Sequence, residues 1–157
     1  MTRCLQMAEA AALAVDVPLN VELGLREIDH GAWDERGERQ VEREEPQAYR
    51  EYTLHPGSVA APDGENGYDV AARALPVVRR ISEAHRDGRV LVVSHKATVR
   101  ILVCALLGMD VRLFRERIGQ PVCALSRFEI KPGGTAMLTM LGDVSHLPAD
   151  LRIAEGT

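Results

Sequence analysis

Val90-Leu91-Val92-Val93-Ser94-His95-Lys96-Ala97-Thr98-Val99-Arg100 is the stretch that decides the fold. Its first four residues form an unbroken apolar run, rich in β-branched valine, as in a parallel strand buried on both faces. Ser94-His95 ends the run. From Lys96 the apolar residues recur at helical spacing to Leu107, and Gly108 closes the helix. A strand feeding a helix through a polar turn is the unit of α/β folds, and it puts His95 at the carboxyl end of the sheet, where open α/β folds bind ligands. The amides of Lys96 and Ala97 would offer the positive end of the helix dipole to an anion such as phosphate. The same pattern also fits a histidine that is merely hydrogen-bonded beside a helix start.

Upstream, Thr2 to Val15 reads as an Ala-rich helix with Leu5, Ala8, Ala12 and Val15 on one face, stopped by Asp16-Val17-Pro18. Val21 to Ile28 alternates as a short strand, ending in a loop at Asp29-His30-Gly31. Glu27, at the end of that strand, can reach the same sheet edge as His95 and serve as a general acid, or it can pair with an arginine at the surface. Arg3 has the guanidinium fork that matches phosphate oxygens, although a first-turn arginine is commonly just solvated.

Residues 34–52 are polar and split by Pro46, which predicts two short surface helices, and a Pro- and Gly-rich loop spans His55 to Asn66. A helix is expected over Asp69 to Asp87, kinked at Pro76 and capped by Gly88. A short helix follows at Val111 to Ile118. Strands at Cys123 to Ile130 and Ala136 to Leu141, joined by Lys131-Pro132-Gly133-Gly134, make a hairpin. The whole predicts an α/β layer fold ending in an antiparallel pair, in one domain over residues 1–157.

Composition sets the boundaries of function. The chain has 157 residues, 46% hydrophobic and 27% charged, which suits a single globular core. Its net charge is −4, and its basic residues, all arginine except Lys96 and Lys131, are scattered, which argues against nucleic acid as a partner. Cys4, Cys104 and Cys123 form no C-x-x-C pair, so neither a disulfide framework nor a metal site is suggested, and a reducing cytoplasm fits best. The longest apolar run, Ile101 to Leu107, is far below the ~20 residues of a membrane span, and no signal peptide is visible.

Five ordered segments resemble the histidine phosphatase superfamily, also called phosphoglycerate mutase-like. Arg3-Cys4-Leu5-Gln6-Met7-Ala8 is similar to the family's R-A-x-Q-T-A, and Leu25-Arg26-Glu27-Ile28-Asp29-His30-Gly31-Ala32-Trp33 to its L-R-E-I-x-F-G-x-W. Pro62-Asp63-Gly64-Glu65, followed by Asp69-Val70 and Arg73, resembles P-G-G-E and the helix after it. Val92 to Arg100 resembles V-V-S-H-G-G-x-I-R, and Ser145-His146-Leu147 the short H-L ending. The order of these motifs is more specific than any one of them.

The resemblance implies a three-layer α/β/α fold with a mostly parallel sheet. It also implies hydrolysis of phosphomonoesters through a phosphohistidine, without metal or cofactor, on a small phosphorylated substrate. Arg3 becomes a phosphate ligand, Glu27 the proton donor to the leaving group, and His95 the histidine that stabilises the transferring phosphoryl. The family's nucleophile lies in an Arg-His-Gly motif after the first strand, upstream of the helix at Thr2, and no Arg-His-Gly occurs in this sequence. Three explanations are open: a chain truncated before its true N-terminus, which is the favoured one; a degenerate protein that binds phosphate without turnover; or a chain completed by another copy or a partner. Met7 and Lys96 also depart from the family's Thr and Gly. The 68 residues from Glu27 to His95 favour phosphatase over mutase, because mutases of the family carry an insertion there.

Overall fold

The computed structural model describes residues 2–152. Helix α1 (Thr2–Val15) has the bounds its alanines predict, yet it buries none of its residues. Helices α2 (Glu38–Glu44) and α3 (Pro46–Leu54) fall where two short helices are expected. Pro46 starts α3, at a position where its missing N–H is no loss. They are less superficial than their polar sequence suggests. Val41 and Tyr52 turn inward to join Trp33 and Ala61 in a small core, where Trp33 meets Tyr52 edge to face at 5.3 Å.

Helix α4 (Gly67–Ala84) starts ahead of Asp69 because Asn66 caps it. The Asn66 side chain accepts from the Tyr68 and Asp69 amides, and the Asp69 carboxylate returns to the Asn66 N–H. Pro76 stays inside the helix, and His85 rather than Gly88 is the C-cap. Helix α5 (Lys96–Leu106) lies against α4. Between them and α6 (Phe114–Arg117) sits the main core of Ile28, Val70, Ile101, Val103, Cys104 and Phe114, with Leu25, Ala74, Val77 and Leu102 in a second cluster.

The sheet departs from expectation. Among the described residues it consists of two antiparallel strands, β1 (Leu125–Ile130) and β2 (Ala136–Asp143), which pair Phe128 with Leu138. Gly133 and Gly134, with φ of 94° and 87°, turn the chain between them, and Phe128 packs on the main core. β1 begins after Cys123, whose φ of 57° is incompatible with a strand. The parallel sheet and the three layers are not formed by these residues. Among the described residues Val90 to Val93 pairs with no strand, and Val90, Leu91 and Val92 are 47%, 62% and 40% exposed. Strand propensity is there, but a strand exists only through the ladder to a neighbour.

The strand expected over Val21 to Ile28 is also absent, for a different reason. Leu23–Leu25 is a single 3-10 turn, and side chains occupy the carbonyls that a ladder would use. Ser94 Oγ donates to Leu25 O at 2.7 Å and Thr98 Oγ1 to Arg26 O at 2.7 Å. Arg73 donates to Gly24 O, Arg26 O and Glu27 O at 2.7, 3.1 and 3.0 Å. The turn at Gly31 needs its φ of 52°, and a Cβ there would lie 2.2 Å from the Pro62 carbonyl.

Arg73 is itself fixed by Glu65. Its Nε and Nη2 meet the two carboxylate oxygens at 2.7 and 2.8 Å, with both side chains largely buried. Burial pushes the Glu65 carboxyl up, but Arg73, the Asp29 amide and Arg26 outweigh it and hold it below its ordinary 4.5. A carboxylate held down in the fold stabilises above its unfolded pKa, and that stability is lost as pH falls through the folded value. Glu65→Gln should therefore lower stability in urea unfolding at neutral pH by about 3 kcal/mol, because Arg73 is left buried without its anion. The same variant should also flatten the loss of stability that the unsubstituted chain shows below about pH 4.5.

Candidate active site

His95 is the N-cap of α5, 6% exposed, with φ −118° and ψ 161°. Arg3, in the first turn of α1, places Nη2 3.2 Å from His95 Nδ1. A guanidinium only donates, so Nδ1 carries the lone pair and the neutral ring's proton sits on Nε2. Cys4 lies beside them, its thiol donating to Ser94 O at 3.0 Å and Sγ standing 3.6 Å from the same Nδ1. Burial pushes the Cys4 thiol up, which keeps it protonated as that bond requires. These contacts join α1 to the turn before α5.

Glu27 comes to the other side of the turn. Its Oε1 accepts from the Ile28 and Thr98 amides at 3.0 and 3.2 Å and from Thr98 Oγ1 at 3.2 Å, while Oε2 has one longer bond, 3.4 Å from the Ala97 amide. The first turn of α5 is therefore taken by a carboxylate of the protein. The sequence expectation that the Ala97 amide faces a bound anion is corrected on this point, although the physics is the one expected, a negative group at a helix N-terminus. The alternative of a surface Glu27 paired with an arginine is not what the structure has.

Arg3, His95 and Glu27 are thus brought together, from α1, the start of α5, and the turn that Arg73 and Thr98 pin. Burial, then Arg3, lower the His95 pKa, against an opposing pull from Glu27. Further along lie groups that the sequence did not single out together. The Tyr52 hydroxyl stands 3.2 Å from His30 Nδ1 and accepts from Arg115 Nη2 at 2.5 Å. Burial raises the Tyr52 pKa, against the lowering pull of Arg115. Tyr52 and Arg115 come from separate helices, and only folding joins them. Thr98, by contrast, was within the quoted motif, and its position one turn after His95 is the signal that marks it.

A shallow depression along α3, lined by Glu45, Pro46, Gln47, Ala48 and Glu51, shares no residue with this site, and its two acids would repel a phosphate. Among the described residues no three His, Cys, Asp or Glu side chains are grouped as metal ligands, and no helix is long and apolar enough to cross a membrane.

The family model of the histidine phosphatase superfamily (branch 1) matches residues 1–141. The chain belongs to that superfamily. It is 33% identical over 110 residues to phosphoserine phosphatase 1 of Hydrogenobacter thermophilus, an alignment covering 70% of this chain and 50% of the relative. It is 28% identical over 153 residues to a probable phosphoglycerate mutase, GpmB, of Citrobacter koseri, covering 94% and 70%. The chain therefore spans about half the length of the first of these relatives. Among solved structures, Bacillus stearothermophilus YhfR superposes with a TM-score of 0.84 at 28% identity, covering 92% of this chain and 71% of that one. A mycobacterial glucosyl-3-phosphoglycerate phosphatase in complex with inorganic phosphate reaches 0.80 at 21% identity, covering 93% and 75%, a likeness of fold.

In this member of the superfamily the His95 imidazole should titrate below its ordinary 6.5, read by NMR of the ring protons. Its neutral form is favoured by the fold, so its contribution to stability is full above that value and is lost as pH falls through it. Arg3→Gln should raise the His95 pKa and Glu27→Gln should lower it, as the signs of those two charges require.

Proposed function

We propose that the chain is the body of a phosphomonoester hydrolase of the histidine phosphatase type. The observation that carries this reading is the gathering of Arg3, His95 and Glu27 around one turn. Arg3 and the Nε2–H of His95 would hold the phosphoryl oxygens, with Arg3 fixing the tautomer that makes Nε2 the donor. Glu27, once protonated on Oε2, the oxygen less committed to amides, would give its proton to the leaving oxygen as a nucleophilic histidine that this sequence does not supply bonds to phosphorus and the P–O bond breaks. The resulting phosphohistidine would lose its phosphoryl group to water, whose proton returns to Glu27. The substrate is a small phosphorylated molecule, no metal takes part, and a cytoplasmic setting suits three free thiols.

The nucleophile is the part this sequence does not contain, because none of its histidines lies in an Arg-His-Gly motif. The 157 residues alone would then bind phosphate without turnover. In the complete enzyme a strand carrying Arg-His-Gly would lie beside Val90 to Val93, giving that run its ladder and extending the hairpin fold to the parallel, three-layer arrangement. A second reading, a phosphate-binding or interaction protein without catalysis, is favoured by the same missing motif. Mutase activity is less well supported, since the spacing from Glu27 to His95 leaves no room for the family's insertion.

The chain as it stands should bind inorganic phosphate, seen by calorimetry, and leave p-nitrophenyl phosphate intact. Fusing an Arg-His-Gly strand ahead of Thr2 should raise the melting temperature and create phosphatase activity together. Burying even a few apolar side chains there is worth ~1.5–3 kcal/mol each. Glu27→Gln in the fused protein should slow alkyl phosphates far more than p-nitrophenyl phosphate, which needs little help from an acid. A fused protein that folds yet leaves every phosphomonoester untouched would replace this reading with the binding-protein one. Turnover by the unfused chain that vanishes in His95→Ala would show the nucleophile to be elsewhere.

A further inference from the structure

Thr98 is 0% exposed, and the reaction as proposed gives its side chain no part. Its hydroxyl oxygen stands 2.7 Å from Arg26 O and 3.2 Å from Glu27 Oε1, and both of these are acceptors. A hydroxyl has one proton, so it serves one of the two at a time. Thr98 has no surface open to bulk water, so the choice between them is made inside the protein.

The protonation state of Glu27 decides which acceptor wins. Ionised, the carboxylate is the stronger partner, because a hydrogen bond to a charged oxygen is roughly twice as strong as one between neutral groups, and that offsets the longer distance. Protonated on Oε2, the same residue presents Oε1 as a neutral carbonyl oxygen. Its two lone pairs are then taken by the Ile28 and Thr98 amides at 3.0 and 3.2 Å. The hydroxyl proton turns instead to Arg26 O, the nearer oxygen, where Arg73 Nη1 donates at 3.1 Å and leaves a lone pair open. The change is the rotation of one O–H bond, with no heavy atom displaced.

We infer that Thr98 is a positioning residue for the acid, its one hydroxyl proton turning toward Glu27 Oε1 when Glu27 is ionised and toward Arg26 O when Glu27 is protonated. The inference rests on the phosphatase reading for the use of that acid, and it adds how the fold accommodates both of its states. As Oε2 gives its proton to the leaving oxygen, the new negative charge meets a donor already beside it. As water returns the proton, the donor turns away, and neither state leaves the buried hydroxyl without an acceptor. The hydroxyl bonds to Oε1 alone, so the exchange does not compete for the reacting oxygen.

The test follows the side-chain carboxyl carbon of Glu27 by NMR against pH in the 157-residue chain. Thr98→Val keeps the amide and the shape but removes the hydroxyl. It should move the midpoint of the profile upward by about half a pH unit or more, since the ionised form loses a donor. Thr98→Ser, which keeps the hydroxyl, should restore most of that difference. Ser94→Ala removes a 2.7 Å hydroxyl bond to Leu25 O from the same turn, and should lower stability without moving the profile. His95, Cys4 and Tyr52, on each of which the Glu27 charge acts, are unchanged in all these variants, as are Arg3 beside His95 and Arg73 on the Glu27 carbonyl. The comparison therefore isolates the hydroxyl. If circular dichroism shows Thr98→Val unfolded, the hydroxyl proton of the unsubstituted chain decides, and its resonance should shift over the same pH range as the Glu27 carbon. A profile that stays in place in Thr98→Val, one that Ser94→Ala moves as far, or a hydroxyl resonance indifferent to Glu27 overturns the role of Thr98. Calorimetry with inorganic phosphate separates this inference from the reading beneath it. Phosphate binding alongside an unmoved profile overturns the hydroxyl exchange and keeps the phosphatase reading, whereas a moved profile in a chain that binds no phosphate keeps the exchange and overturns that reading.

Discussion

Everything at the site hangs on how the backbone from Gly24 to Asp29 is held. In a sheet those carbonyls would be satisfied by a neighbouring strand. Here Arg73, itself locked by Glu65, takes three of them, and Ser94 and Thr98 take the rest of what the turn needs. A buried guanidinium can do this because it has five donors in a rigid plane, enough to grip a carboxylate and three carbonyls at once. The consequence is that Glu27 is positioned by side chains of α4 and α5, elements whose own packing is apolar and well buried. Chemistry at the turn is thereby coupled to the main core.

The start of α5 serves two functions. Its amides are a ready anion site, and the protein fills that site with its own Glu27 carboxylate, so the residue proposed to handle a proton is also the residue that satisfies the helix. His95, left out of the amide cradle, is oriented from the opposite side by Arg3. A small set of residues on consecutive positions is therefore divided between two neighbours, with Thr98 tied to Glu27 and His95 to Arg3.

Much of this is legible in the sequence itself. The helix at Thr2–Val15, a helix from Lys96 expected to reach Leu107 and ending at Leu106, and the hairpin follow from periodicity and turn residues, and the candidates Arg3, Glu27 and His95 from ordered motifs, all of which are local in the chain. What the sequence misjudged depends on neighbours. The β-branched run at Val90 to Val93 has strand propensity but no ladder, and the alternation over Val21 to Ile28 is overridden by side chains from residues far along the chain. Tyr52 and Arg115, separated by 63 positions, meet only because folding brings them together from α3 and α6, and no local pattern announces such a meeting. The buried faces of α2 and α3 were hidden for a similar reason, since one inward residue per short helix leaves no periodic stripe to read.

Helix α1 buries none of its residues, and its described hydrogen bonds to the rest of the fold come from Arg3 and Cys4, reaching Ser94 and His95. The element that carries Arg3, the proposed phosphate ligand, is therefore among the least secured parts of the molecule, at the low end of local opening free energies. On the proposed role of Arg3, docking of that helix and occupation of the site would be linked equilibria: an anion bridging Arg3 and His95 would close the helix onto the fold, and opening of the helix would release it. Affinity for phosphate would then measure the ordering of α1 as much as the contacts to phosphorus-bound oxygens, and a protease that cuts near Asp16 and Val17 would report the fraction of empty sites.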